Sequence, residues 1–512
     1  MKNAVYDKLG LATILAGLAV CCNSYARSAT TTCVSVASDG TPGNATSQRP
    51  AVSADGHRVA FESLASNLAP GVTNGKSQVY VHDRQTGQTI CVSVTPDGSQ
   101  GNDDSDTAAI SGDGQFVAFH SVAINLVPGG TSGVKQVFVR DCTAGTTTLV
   151  SVSSDGNEGN GVSLNPTISA DGRYVAFNSG ATDLVPGISN GKSQVFVYDT
   201  HATNMVCASL GTDGSQGDGD SYIAYISADG TCTAFISTAD NLGTVSGGQE
   251  LVYVRDLRAG KTTCVSVAPD GTPANAASGA SSISDDGRFV GFDSNASNLV
   301  LGDSNGSQDC FVRDRQTGTT TRVSVSSSGA QGNNNADSPQ LSADGRFVVF
   351  ESDASNMVSG DSNGQTDVFL HDLQSGQTTR VSVSASGGQL NDFSWVGLSS
   401  ISSDGSVIAF HTDSINVVPG ITNWNNPGHV YVRDLGSTVV TNGSLTIQPE
   451  PDGSMLLRWF GQPGGTAGLE VTTDLLNWTR LATVVADANG LFQFTDTSAP
   501  LFGARFYCWR SP

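Results

Sequence analysis

Two seven-residue segments concentrate hard oxygen donors: Asp303-x-Asn305-Gly306-x-x-Asp309 and Asp361-x-Asn363-Gly364-x-x-Asp367. Calcium takes roughly six to eight such oxygens, and the glycine permits the sharp turn that wraps them around an ion. Two carboxylates and one amide leave backbone carbonyls or water to complete the shell. The matching loops near Asn74 and Asn190 carry Gln78 and Gln194 in place of the second acid, and Lys76 and Lys192, which repel a cation. A calcium site is therefore confined to the two Asp-bearing segments. The other reading is an Asx turn, satisfied by its own side chains. Both segments also match G-x-S-x-G around Ser304 and Ser362. A nucleophile elbow needs that motif on a strand-to-helix turn, whereas here it links two apolar, strand-like runs. The seven histidines offer no better chemistry. His82 and His371 share a repeat position that Arg140, Tyr198, Arg255, Arg313 and Arg433 fill elsewhere. That reads as a partly exposed strand position rather than a general base. No zinc-type spacing and no phosphate loop is present.

The elements that must position these loops form a repeat. A strand of the Cys-Val-Ser-Val type starts near residues 33, 91, 150, 207, 264, 322 and 380, a period of about 57 to 59 residues. An Asp-Gly turn recurs at Asp55, Asp113, Asp171, Asp229, Asp286, Asp344 and Asp404. Asp-Gly between apolar runs marks a hairpin, because glycine supplies the positive φ. The runs that follow, such as Phe116-Val117-Ala118-Phe119, are β-branched and aromatic, as strands are. The third strand of every unit ends in an acid: Asp83, Asp141, Asp199, Asp256, Asp314, Asp372 and Asp434. Seven four-stranded units without a helix predict an all-β chain with a seven-bladed β-propeller over residues 30–440. Either the Cys33 strand or Thr438-Val439-Val440 closes the ring.

The pattern Ser-x-Asp-Gly-(Arg)-x-Val-Ala-Phe followed by Val-Phe-Val-x-Asp resembles the TolB-like, WD-like (PD40-type) propeller repeat. The resemblance covers roughly residues 30 to 438. It implies protein–protein contact in the periplasm or at the cell surface. The N-terminal α/β domain of the known family member has no counterpart in this sequence, so the same envelope complex is not implied. From residue 443 the repeat stops, and short strands such as Met455-Leu456-Leu457-Arg458-Trp459 follow. Leu469-Glu470-Val471 through Asn477-Trp478, with Ala504-Arg505-Phe506-Tyr507, resembles the small C-terminal β-sandwich of secreted bacterial proteins. The resemblance implies a fibronectin- or immunoglobulin-like module over 443–512. A strand-rich cap on the ring is the other reading.

Composition and the N-terminus bound the setting. The 512 residues carry 25 basic and 47 acidic side chains, a formal charge of -22. That balance excludes nucleic acid and anionic membrane as partners, since both need clustered Lys and Arg. Residues 1–26 read as a signal peptide: Lys2 and Lys8, an apolar run from Leu9 to Val20, then Ser24-Tyr25-Ala26. The run is too short to span a bilayer. Cys21 and Cys22 raise lipidation as an alternative, against which Val20 makes a poor lipobox. Secretion or a periplasmic or cell-surface location follows. Cys33, Cys91, Cys207 and Cys264 occupy one position in separate repeats, too far apart to bridge, and read as small buried hydrophobes.

In a four-stranded blade, the loops entering the inner strand and those joining strands two and three share one face. That face carries Asp103, Asp104, Asp106, Asp218, Asp220, Asp337 and Asp392, and is the expected, strongly negative surface for a protein or glycan ligand. The sequence thus points to an exported, non-enzymatic propeller used for binding or scaffolding. The alternative is a glycan-degrading hydrolase or lyase, which needs paired carboxylates or a His–Tyr cluster at the channel.

Overall fold

The computed structural model describes residues 29–243, 247–397, 399–421, 428–436, 446–449, 454–460, 466–472, 479–486, 491–498 and 506–510. Ala29–Gly436 forms one compact unit, and Ser437–Pro512 belongs to another.

Each repeat folds into one antiparallel sheet whose spatial order follows the chain. The first comprises Ser47–Val52, Arg58–Ser63, Gln78–Asp83 and Thr89–Cys91, inner strand first. Five more begin at Ser105, Ser163, Ser221, Ser278 and Ala336. The seventh draws on both ends of the unit. Ser394–Trp395, Val407–Thr412 and His429–Asp434 are completed by Thr30–Cys33, with Thr30 opposite Asp434 and Cys33 opposite Tyr431. The N-terminal strand therefore closes the ring, which removes a free sheet edge. Thr438-Val439-Val440 lies outside the described residues.

The repeated residues act as joints. Ser53 Oγ donates to Asp55 Oδ1 at 2.6 Å, and the same carboxylate oxygen accepts the His57 amide at 2.9 Å. The Ser–Asp bond recurs in the seventh blade as Ser402–Asp404 at 2.7 Å. The glycine that follows is forced twice. Gly172 has φ +73°, and a Cβ there would lie 2.2 Å from the Phe116 ring of the preceding blade. The third-strand acids fold the next turn back. Asp314 accepts the Gln316 amide at 2.9 Å and takes Arg288 in a bidentate pair at 2.9 and 2.7 Å. Arg173 holds Asp199 the same way and pulls its pKa down to about 2.

Second and third strands meet through buried ring pairs, such as Phe61–Tyr80 with centroids 5.8 Å apart and Phe410–Tyr431 at 6.0 Å. His82 and His371 are buried, not partly exposed as their exchange for Arg and Tyr suggests. Each bonds a threonine on the outer strand, His82 to Thr89 at 2.9 Å and His371 to Thr378 at 2.8 Å. Arg140 meets Thr147 identically at 3.0 Å. Arg255, Arg313 and Arg433 bond a threonine at the same place, so where the outer strand offers a threonine the hydrogen bond is kept while the side chain changes; Tyr198 stands opposite Met205. The described cysteines of the propeller are free thiols, and burial pushes Cys33, Cys91, Cys207 and Cys142 up to about 11.

In the C-terminal unit, Thr446–Pro449, Met455–Phe460 and Leu491–Asp496 form one three-stranded sheet. Thr479–Val485, Thr466–Thr472 and Phe506–Arg510 form a second. Leu457, Leu469 and Phe492, drawn from both sheets, share a small core.

Candidate binding face and channel

The two Asp-bearing loops bring their carboxylates together, but upon a guanidinium. Arg322 Nη1 lies 3.1 Å from Asp303 and 3.0 Å from Asp309. Asp309 Oδ1 also accepts Ser324 Oγ at 2.5 Å, while Asn305 Nδ2 reaches Asp309 at 3.1 Å and the Gly332 carbonyl at 3.0 Å. Blade six repeats this, with Arg380 at 3.5 Å from Asp361 and 3.4 Å from Asp367, and Asn363 near Asp367. Asn305 and Asn363 each accept a loop amide, as in an Asx turn. Burial, then the neighbouring acid, raises the Asp303 carboxyl, and burial raises Asp367. Among the described residues, no group of three or more His, Cys, Asp or Glu side chains could hold a metal ion. Ser304 and Ser362 bond Gln331 and Gln389, not a base. The sequence held a clue to Arg322 and Arg380. They replace cysteine or leucine at the end of the outer strand only in the two blades whose loops carry the acids.

The seven face acids divide by duty. Asp218 accepts the Asp240 amide at 2.8 Å, the bond that Asn44 makes with the Ser66 amide in blade one. Asp104 and Asp220 accept the amides of Ser77 and Ser193, each at 2.9 Å. Asp103 pairs with Lys76 at 2.7 Å, and Asp106 and Asp220 face Lys135 and Lys192 at 3.8 Å. Asp392 caps its own strand through the Phe393 amide at 2.9 Å. Asp337 stands directly opposite Glu351 across the strand pair. The face is thus acidic but laced with lysines. Asp104 and Asp106, with Gln48, Glu62 and Leu64, line a cleft of about 240 Å³ between the first two blades.

A ring at the channel mouth matters more than any single acid. Ser47, Ser105, Ser163, Ser221 and Ser278 each bond a second-strand serine in the same way, at 2.8 to 2.9 Å. One residue further, the blades diverge, with only Asp used twice: Gln48, Asp106, Leu164, Tyr222, Gly279, Asp337 and Trp395. Immediately after these, the inner strands bulge. Arg49, Thr107, Asn165, Ile223 and Ser338 sit there at φ of 50° to 55°, a region costly for side chains other than glycine. The bulge amide is held by a second-strand side chain of the preceding blade. Thr107 donates to Glu62 at 2.8 Å, Asn165 to His120 at 3.3 Å and Val396 to Glu351 at 2.8 Å. Arg49 also lies 3.4 Å from Glu62. Burial, followed by repulsion from Asp337, pushes Glu351 up to about 8, and burial raises Asp337. Burial holds His120 down at about 3 and His411 at about 4.

Below this ring the channel holds a cavity of about 140 Å³ with an aliphatic collar built from Val52, Ile110, Ile168, Ile226, Ile283, Leu341 and Ile401. Tyr225 hydrogen-bonds Gln340 and is buried. Asp285 is the one carboxylate among the described lining residues. The far end is laced by backbone. Ala54 donates to Gly112 (2.9 Å), Gly112 to Ala170 (2.9 Å), Ala170 to Ala228 (3.0 Å) and Asp229 to Asp285 (3.4 Å). Asp285 then donates to Ala343 (3.1 Å), Ala343 to Ser403 (3.1 Å) and Ser403 back to Ala54 (2.9 Å).

These features define a seven-bladed β-propeller resembling TolB and WD40 repeat structures. No family model and no curated protein matches the sequence. A TolB structure from Agrobacterium tumefaciens is similar over 68% of this chain and 95% of that one, at 15% identity and a TM-score of 0.37. Acylaminoacyl peptidase in complex with Z-Gly-Gly-Phe-chloromethyl ketone is similar over 82% of this chain and 58% of that one, at 11% identity and a TM-score of 0.44. The WD40 repeats of RRP9 are similar over 79% of this chain and 97% of that one, at 9% identity and a TM-score of 0.39. What these structures share with the chain is the fold.

Proposed function

We propose that the chain is an exported, non-catalytic propeller that binds a partner at the channel mouth of its acidic loop face. One observation carries this reading. The Asp-Gly turn and the third-strand acid are the same in all seven blades, whereas the mouth position holds six residue types in seven blades, five of them next to a strained bulge residue. A position released from structural duty on a rigid scaffold is where recognition residues sit. The aliphatic collar and lone Asp285 of the channel fit binding better than chemistry inside it. Calcium at the Asp303 and Asp361 loops would have to displace a guanidinium. We therefore read those loops as ion-paired braces, and the C-terminal sheets as an accessory sandwich.

A hydrolase is the second reading, favoured by Asp337 opposite Glu351, a neutral acid beside a carboxylate. Against it, Glu351 is 7% exposed and already holds the Val396 amide. The test is capture of partners from the envelope fraction with the mature protein, wild type against Gln48→Lys with Asp106→Lys. Binding lost at an unchanged melting temperature is the expected result. Undiminished capture would sink the reading.

A further inference from the structure

The seventh blade departs from the other six at the channel mouth. From Ser394 to the Asp404 turn it runs two residues longer than the same stretch from Ser47 to Asp55. Its inner strand shrinks to Ser394–Trp395. Where blades one to six place Thr46, Asp104, Val162, Asp220, Ala277 and Asn335, it places Phe393. Phe393, just before this strand, and Trp395, two residues on, stack at 5.4 Å with planes 15° apart. Trp395 in turn lies 4.9 Å from the His411 ring, its cross-strand partner. Phe393 is thus the outer plate of a three-ring stack and is 41% exposed. Leaving a rigid ring face in water forgoes the free energy of burying it.

We propose that this plate is a stacking subsite for a pyranose ring of a neutral glycan, a ligand class that rests on the binding reading given above. A pyranose offers an apolar C–H face to an aromatic plane and hydroxyls around its rim. Both kinds of partner are present. Asp392, adjacent to Phe393, supplies a half-exposed carboxylate, and Arg49 of the neighbouring blade supplies a guanidinium with a half-exposed side chain beside Glu62. Charge narrows the class. Acidic sugars are repelled by Asp392, Asp413 and a chain charge of -22. A cation would choose the tryptophan face. Both faces of Trp395 are covered, and Arg49 lies near enough to His411 to disfavour its protonation.

The experiment is calorimetric titration of the mature full-length chain with cellohexaose, xylohexaose, mannohexaose and chitohexaose, and with an Arg/Lys-rich dodecapeptide. Saturable binding of at least one hexasaccharide is expected. Phe393→Ala should weaken it about tenfold, whereas Phe393→Tyr, which keeps the plate, should hold it within about twofold. Binding of no hexasaccharide, or binding indifferent to Phe393→Ala, overturns the proposal. If only the basic peptide binds, and Asp106→Lys abolishes that, the glycan subsite is wrong while the mouth remains the binding surface. If a hexasaccharide binds at Phe393 but envelope capture ignores the mouth charges, the subsite stands and the wider reading falls.

Discussion

Glu351 shows how one residue can report on the mouth. Its carboxyl accepts the bulge amide of the next blade while burial and Asp337 hold it protonated up to about pH 8, against an ordinary value of 4.5. In the unfolded chain it ionises near that ordinary value. Its contribution therefore favours the fold fully below pH 4.5 and is lost as pH rises through 8. Glu351→Gln keeps an oxygen for the amide and removes the charge. Denaturation midpoints should match at pH 4, then diverge in favour of the variant up to pH 8, by roughly 2–4 kcal/mol. A difference that stays flat from pH 4 to 9 would contradict the assignment. Asp199 runs the opposite way: Arg173 depresses it, so its contribution is present above the ordinary value and lost on acidification.

Within a blade, the same joint is built with two chemistries. Blade one fills it with Val72, Gln78 and Cys91, and Gln78 accepts Ser93 Oγ at 2.6 Å. Blade five fills it with Asp303, Asp309 and Arg322. Removing one partner of a buried pair strands a charge, so Arg322→Ala should destabilise by about 3–5 kcal/mol. Converting the whole set to the blade-one residues, Asp303→Val with Asp309→Gln and Arg322→Cys, should be neutral or stabilising by about 1–4 kcal/mol. Urea denaturation of the two variants decides it. Calcium should leave the wild-type midpoint in place, because the guanidinium already supplies the positive charge that the two carboxylates need. A calcium-dependent rise would refute the brace. Nothing in the Asp303 loop taken alone distinguishes a metal site from this pair. The deciding side chain lies thirteen residues beyond Asp309, on the next strand, and its meaning shows only when the blades are compared position by position.

For the whole propeller, closure depends on a four-residue strand at its start. Thr30–Cys33 pairs with His429–Asp434, Thr31 Oγ1 reaches the Val383 carbonyl at 3.0 Å, and Ser35 meets His429 at 3.0 Å. Deleting residues 29–33 leaves the His429–Asp434 strand as an open edge. The melting temperature should fall by roughly 5 °C or more and light scattering should rise on heating. An unchanged transition would show that another segment can close the ring. The chain of backbone hydrogen bonds from Ala54 round to Ser403 and back ties the blades at the far end of the channel. It makes the mouth ring a surface on a fixed frame.

The sequence by itself determined the all-β architecture, the four strands per unit, the Asp-Gly hairpins and the count of seven, because each is written in local residue chemistry that repeats. It also singled out the face on which the variable residues lie. Tertiary structure alone decided what those residues do. Arg322 and Arg380 turn a calcium-like loop into an ion pair, buried histidines prove to be hydrogen-bonded struts, and Glu62, Glu351 and the Phe393–Trp395 stack come together at the mouth. Each depends on contacts between strands or blades far apart along the chain. The free energy of such a contact is set by burial and by the partner opposite, and neither is encoded in the residue's own neighbourhood.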